Sequence, residues 1–328
     1  MKKSLIALAV LGSVAGAAQA QSAVTLYGIV DLWVGSASTT VGGVKTSTTQ
    51  MTSGGISTSR WGMQGSEDLG GGLKAVFKLE QGFNADNGTA RGTNTAFGRQ
   101  AYLGVQGGFG TVTLGNTWTA MDDILGASNS GFDSALSASN TVLVVPEVYA
   151  GNPGNTIKYV SPSFGGISAG FSHSLKEANA DGGVTDFSLS YGAGPIAANF
   201  AYQTQRQAGD DLKLTALNGS YDLGVAKLLA SYGQAKEGAL KATDLQFGAD
   251  VPLSSALTLS AGYAQSKDNA ALGNGKRTGF GVAASYSLSK RTSVYAGARS
   301  SKAKDGATLV DGTSEKASVY AVGLKHTF

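Results

Sequence analysis

From about residue 23 to the C-terminus the chain repeats one pattern: residues alternate with period two, and no long apolar run interrupts them. Leu245, Phe247, Ala249 and Val251 share one face, while Asp244, Gln246, Gly248 and Asp250 share the other. Thr278, Phe280, Val282, Ala284 and Tyr286 oppose Gly279, Gly281, Ala283 and Ser285 in the same way. Such alternation marks strands with one apolar face, and helix-period stretches are nearly absent. Short turns at 68–72, 107–110, 222–224 and 288–290 trade places with longer polar stretches at 36–53, 84–94, 268–275 and 301–313. About sixteen strands result, starting near residues 23, 55, 73, 96, 110, 155, 167, 184, 195, 212, 225, 242, 256, 277, 291 and 315.

Composition decides what such strands can build. Charged residues make up 14% of the 328, with 48 glycines, 5 prolines and no cysteine. Sixteen strands in a soluble sandwich would carry more charge on their polar face and would divide into two domains, yet no linker splits this chain. Strands crossing lipid meet no water, so every backbone amide must pair and the sheet must close on itself. The predicted fold is therefore an all-β, transmembrane, antiparallel β-barrel of about 16 strands, with short turns at one end and long loops at the other. Phe83, Phe109, Phe164, Tyr191, Tyr221 and Tyr286 fall at strand–turn boundaries, where aromatic rings suit the lipid–water interface.

The N-terminus addresses the chain for export. Lys2 and Lys3 precede an apolar stretch opened by Leu5–Leu11, and Ala18-Gln19-Ala20 supplies a small-x-small cleavage site. Residues 1–20 are predicted to be a signal peptide, leaving 21–328 as one barrel domain. Loss of the two lysines lowers the formal charge from +3 to +1, too little to suggest a nucleic-acid partner. One connection is out of scale: about 118–152, after the fifth strand, alternates poorly. A loop of that length is usually functional, and this one is placed to fold into the barrel and narrow it.

Enzyme signatures do not survive their context. Gly166-Ile167-Ser168-Ala169-Gly170 matches a nucleophile elbow but continues as a strand, where the elbow needs a strand-to-helix turn. Ser287-Leu288-Ser289-Lys290 lies at a turn with no companion motif, and Asp68–Leu73 lacks the Lys-Ser/Thr ending of a phosphate loop. Two histidines without cysteine make no conventional zinc site. No cofactor or metal is expected, and Asp31 and Glu80 read as solvated groups facing the lumen.

Several segments have a familiar shape: Val24-Thr25-Leu26-Tyr27-Gly28-Ile29-Val30-Asp31, Ser59-Arg60-Trp61-Gly62-Met63-Gln64-Gly65-Ser66-Glu67-Asp68-Leu69-Gly70, and Phe97-Gly98-Arg99-Gln100-Ala101-Tyr102-Leu103-Gly104. Lys158-Tyr159-Val160-Ser161-Pro162 and the closing Gly323-Leu324-Lys325-His326-Thr327-Phe328 extend the pattern to the last residue. On these segments the whole chain resembles the trimeric general porins of β-proteobacteria, in the Gram-negative porin superfamily.

The resemblance implies a passive diffusion channel of the outer membrane for small hydrophilic solutes and ions. It implies a homotrimer embedded in lipid and lipopolysaccharide, with the third long loop folded inward and 84–94 as a clasp between copies. Wall arginines of the family match Arg60 and Arg99. For Arg60 alternation agrees, since Gly62, Gln64 and Ser66 share its face; for Arg99 it is ambiguous, since Ala101 and Leu103 do. Lys74, Lys78 and Lys158 join them as candidate basic residues of the constriction, and Asp122, Asp123, Asp133 and Glu147 are the acids of the loop. Phe328 matches the family's assembly signal. Relatives often carry arginine where this chain has Asn116 and Asn152, so anion preference does not follow. The alternatives are a substrate-specific channel of the same fold and an outer-membrane barrel hydrolase using Ser168.

Overall fold

The computed structural model describes residues 23–91, 96–176 and 183–328, so the export segment 1–20 lies outside the described residues. The alternating segments become β1 Ala23–Val41, β2 Val44–Ser53, β3 Arg60–Gly70, β4 Leu73–Gly82, β5 Gln100–Gly107 and β6 Gly110–Asn116. Next come β7 Thr156–Val160, β8 Ile167–Ser174, β9 Val184–Ala193, β10 Ile196–Gln205, β11 Leu212–Asp222 and β12 Lys227–Glu237. The last five are β13 Leu240–Pro252, β14 Leu257–Asp268, β15 Lys276–Ser287, β16 Thr292–Lys304 and β17 Lys316–Thr327. All belong to one sheet. Both β2 and β3 pair with β1, one along each half of its length, so together they form a single stave broken at 54–59. Seventeen segments thus make sixteen staves, each antiparallel to both neighbours. Register from Ile29↔Thr327 to Thr40↔Lys316 joins β1 to β17 and closes the barrel.

The first hairpin corrects the sequence reading. Residues 36–53 are not a loop: β1 continues to Val41, turns through Gly42 and Gly43 at φ 56° and 77°, and returns as β2. Its Ser/Thr-rich strands lack an alternating apolar face, although threonine is a good strand former. The start expected near residue 55 falls in the break between β2 and β3.

Lipid-facing positions carry the apolar set, with Phe280 62% and Val322 65% exposed on the outer wall. Phe109, Phe164, Tyr191, Tyr221 and Tyr286 are exposed at the short-turn end, as an aromatic girdle there requires. Phe83 lies at the opposite end, bridged to Ala90. The C-terminal Phe328 exchanges both backbone hydrogen bonds with Gly28 at 3.0 and 3.1 Å. Its ring occupies the space where a Cβ on Gly28 would stand.

The long connection runs from β6 to β7 through the lumen. Single helical turns occupy Asp122–Leu125 and Val145–Val148, and Gly131 and Phe132 adopt left-handed backbone between them. Side chains of the far wall hold it by its backbone. Asp186 accepts from Met121 N (3.2 Å), Gln203 from Ala150 N (2.8 Å) and Asp244 from Val145 N (2.8 Å). Asn218 donates to the Ile124 carbonyl and Gln246 to that of Ser128, at 2.8 and 2.7 Å. Arg299 donates to the Ala135 and Asn140 carbonyls, both at 2.9 Å. Between these tethers the wall is paved with small residues. Gly248, Gly262 and Gly281 sit directly opposite one another on β13, β14 and β15. A Cβ on any of the three would run into Ser130 or Leu136 of the loop. Met121, Ile124 and Val145 pack onto Ala201, Leu214, Ala216 and Ala235, so this half of the lumenal face is apolar where the loop covers it.

The loop tip docks at the break in the second stave, where Ala135 N donates to the Gly55 carbonyl at 3.0 Å. Asp31 fixes that break. Fully buried, its carboxylate accepts from the N–H groups of Gly55, Ile56 and Ser57 at 3.0, 3.0 and 2.8 Å and from the Tyr295 hydroxyl. The expectation of a solvated Asp31 is therefore corrected: four donors converge on it and replace water.

Asp31→Asn leaves at least one of these donors without an acceptor. It should cost about 3 kcal/mol, read as a lowered urea midpoint of the barrel in detergent; an unchanged midpoint would remove Asp31 from the account of the joint. Gly262→Val drives a side chain into Ser130. It should lift the loop tip and change single-channel conductance at an overpacking cost of about 1–3 kcal/mol, whereas wild-type conductance would mean that the loop does not rest on this wall.

Candidate functional site

Facing the tethered loop is a wall that stays charged. Alternation along β3 turns Arg60, Gly62, Gln64 and Ser66 inward, and along β4 Lys78 and Glu80. Register places Arg60 opposite Gly82 and Gln64 opposite Lys78, so the charged positions fall within one patch. Glu80 is its centre. Only 2% exposed, it pairs with Arg99 Nε at 2.7 Å, Arg60 Nε at 3.6 Å and Lys78 Nζ at 3.6 Å. It also accepts from the Tyr27 hydroxyl at 2.8 Å. The sequence reading of Glu80 as a solvated carboxylate is corrected here. It faces the lumen, but three cations and a phenol take the place of water, the condition under which a buried carboxylate stays charged.

Arg99 reaches this patch by leaving the alternation. β5 begins one residue later, at Gln100, and Phe97 has a left-handed φ of 54°, so Arg99 is not bound to the face of Ala101 and Leu103. Two asparagines hold the turn. Asn152 Nδ2 donates to the carbonyls of Gly98 (2.9 Å) and Arg99 (3.2 Å), and Asn116 Nδ2 to that of Gly98 (3.2 Å). Asn116 and Asn152, the positions where relatives often carry arginine, thus set the backbone from which Arg99 projects. The guanidinium lies 5.0 Å from the Trp118 ring centroid. Gln100, with its amide oxygen turned toward them, accepts from Lys78 Nζ at 3.1 Å and Trp118 Nε1 at 2.6 Å.

Two of the loop acids come to the same side. Lys158 on β7 pairs with Asp123 at 2.6 Å, and Asp122 accepts from the Tyr149 hydroxyl at 2.6 Å. Burial pushes Asp122 up to about 6, against the Tyr149 hydrogen bond and with help from the neighbouring Asp123 charge. Burial also raises the Tyr149 hydroxyl, which keeps its proton and remains the donor. Asp133 and Glu147 lie apart from this cluster. Both are exposed and line a lumenal cavity of about 450 Å³ together with Thr58, Arg91 and Asp311.

Lys74 is not brought to the patch. It is exposed next to the 71–72 turn, six residues down β4 from Glu80 and so about 20 Å away along the strand. Phe328 sits at the seam, remote from the charges. Tyr27, Glu80, Gln100 and Trp118 were not candidates from the sequence; the signal available was Lys78-x-Glu80 on an inward face. Ser168 lies within β8 opposite Ser190, with no strand-to-helix turn to expose it. Among the described residues no group of three or more His, Asp or Glu is placed to hold a metal ion.

A family model described as Gram-negative porin matches residues 7–306. The outer membrane porin protein 32 of Delftia acidovorans is 35% identical over 99% of this chain and 95% of its own length. An anion-selective porin from Comamonas acidovorans has the same fold, with TM-score 0.82 at 28% identity over 94% of this chain and 100% of that one. OmpT of Vibrio cholerae, solved in trimer form, shares the fold at TM-score 0.70 and 16% identity, over 94% of this chain and 99% of its own. A closed sixteen-stave barrel, greasy outside and charged within, is what such proteins are made of: the chain belongs to the Gram-negative porin family, an outer-membrane channel rather than an enzyme.

Proposed function

We propose that small hydrophilic solutes and ions diffuse passively through this barrel past a charged eyelet. The basic side of the eyelet is Arg60, Lys78, Arg99 and Lys158, with Asp122 and Asp123 of the loop beside it, and the opposing side is the inward loop with Asp133 and Glu147. The supporting observation is the tethering of the loop to the far wall, which leaves the Glu80-centred patch uncovered on the other. Fixed charges on two sides of a narrow aqueous path make a transverse field. A solute with a dipole aligns in it, while an apolar solute must disrupt ordered water to pass. Three copies form the working unit in this reading, with the 84–94 clasp between them, of which residues 92–94 lie outside the described residues. Phe328, paired with Gly28 at the closing seam, is the assembly signal.

Charge counting sets the selectivity. The four cations face five carboxylates once Glu80 is included, and Glu80 already draws on three of the four. Ion preference follows the net field at the narrowest ring, so selectivity should be modest. A reversal potential across a planar bilayer under a salt gradient tests this: a value near zero supports it, and strong anion selectivity overturns it. The same traces should show no saturable block by any one solute at low concentration. Glu80→Gln removes the charge that neutralises the basic wall and should move the reversal potential toward anions; no shift would take Glu80 out of the eyelet's electrostatics.

Asp122 predicts a pH dependence. Its raised pKa, about 6, means that it is mostly ionised at pH 7.5 and mostly neutral at pH 5, where ordinary carboxylates are still charged. Acidification through pH 6 therefore deletes one negative charge and should shift selectivity toward anions. Asp122→Asn should show the pH 5 behaviour at both values, and an unaltered pH response in that variant would assign the titration elsewhere.

A further inference from the structure

The buried acids of this barrel differ in what compensates them. Asp31 has four donors, and Glu80 has three cations and a phenol. Asp186 on β9 accepts from Met121 N at 3.2 Å, Ser172 Oγ at 2.8 Å and Gln203 Nε2 at 3.3 Å, which engages both of its oxygens. Asp244 on β13 is the exception. It is only 2% exposed, yet its Oδ2 accepts from a single amide, that of Val145, and its Oδ1 has no partner. Among the described residues no cation lies within 4.0 Å of it. Arg277, two strands away at the same level, is engaged by Asp268 at 2.8 Å and by the Thr308 carbonyl at 2.7 Å. A buried charge is costly unless it is paired or bound to a metal ion, and here the protein supplies no pair.

The polar atoms beside Asp244 lack partners too. Ser266 stands directly opposite it on β14, and the side chains of such a pair start about 5 Å apart. The Ser266 hydroxyl is fully buried, and although it faces the carboxylate the two are not bonded. Gln246 is the next inward residue of β13, about 7 Å along the strand. Its amide nitrogen is committed to the Ser128 carbonyl at 2.7 Å, while its Oε1, equally buried, has no donor. Three oxygens therefore meet at one corner of the seam between loop and wall, and one of them carries a charge. A cavity of about 20 Å³, room for one water-sized occupant, adjoins Asp244 between Leu143, Val145 and Pro146 of the loop and Ser231 and Gly233 of the wall.

We propose that a monovalent alkali cation, Na+ or K+, binds at Asp244 with Ser266 Oγ and Gln246 Oε1 as further ligands. A donor set made only of oxygen suits a hard cation. One carboxylate balances one positive charge, so a divalent ion would leave an excess in a buried place. Water could satisfy the hydrogen bonds but not the charge. The carboxylate that takes up the ion is the one that holds the Val145 amide, so the ion fixes this stretch of the loop against the wall. The inference rests on the seat of the loop and not on the passage of solutes.

The test compares the folded barrel in dodecyl maltoside with NaCl, KCl or N-methyl-D-glucamine chloride at equal ionic strength and pH. Hydrogen exchange of the 142–149 stretch, read by mass spectrometry, should be at least threefold slower with Na+ or K+ than with the bulky organic cation. D244N should exchange fast in every salt, and S266A should weaken the ion effect several-fold. Crystals of the unaltered protein grown with RbCl give a second readout that needs no variant. An anomalous peak beside Asp244 and Ser266 supports the proposal, and ordered density there without anomalous signal is a water and overturns it. Equal exchange in the three salts, an ion effect that survives in D244N, or a response to Ca2+ alone would each overturn it as well. Conductance takes no part in these readouts, so failure here leaves the channel reading standing.

Discussion

A peptide group in hydrocarbon has no partner except another peptide group, and this one fact orders the whole molecule. It forbids an edge, so β1 must meet β17 along its length, and the last residue must find a place at that seam. Phe328 does so by exchanging hydrogen bonds with Gly28 across the join. Closure then divides every strand into a lipid face and a lumen face, and the sequence can specialise each without regard to the other. The same fact explains where irregular backbone is tolerated. The 54–59 break has lost its ladder partners, but it sits on the wet side and its amides are taken up by Asp31, a charge set within reach of all three.

The inward loop is governed by the same accounting. Its backbone has no ladder, yet it crosses the bore against the wall, where unpaired amides would be costly. The solution is a set of lumenal Asp, Asn, Gln and Arg side chains, spread over β9, β10, β11, β13 and β16 and each taking a loop N–H or C=O. Between them glycine and alanine let the two backbones approach. The loop is thereby fixed along one side of the bore and cannot cover the other. The asymmetry of the lumen, small and apolar beneath the loop and charged opposite it, is thus a consequence of how the loop is held.

Legibility in the sequence follows from which rule governs a residue. Arg60 was readable because it obeys alternation, and the strand starts were readable because turn residues punctuate them. Arg99 was not, since its direction depends on a left-handed Phe97 and on two asparagines distant in sequence. Glu80 and Asp31 looked like ordinary lumenal acids because their partners lie on other strands; only the register shows that Glu80 has three cations around it. The first hairpin was misread because its Ser/Thr strands lack an apolar face. The wall under the loop was blurred for the opposite reason, since Ala216 and Ala283 are apolar on the face that alternation assigns to water. Each miss lies where a contact between distant segments overrides the local period.

A carboxylate buried among cations has a further effect on the channel. Arg60, Lys78 and Arg99 are long side chains that would otherwise sample many rotamers and spread their charge over several ångströms of the bore. Glu80 draws all three to one point, while Trp118 at the start of the loop lies against Arg99 and Gln100 on β5 accepts from Lys78. Part of the positive field is cancelled by this, but what remains keeps a constant place and direction. A passing solute therefore meets an environment that does not need to reorganise around it, which is the property that lets fixed charges sort dipoles during a brief transit. The weaker field and its fixed orientation have one cause, the single buried acid on β4.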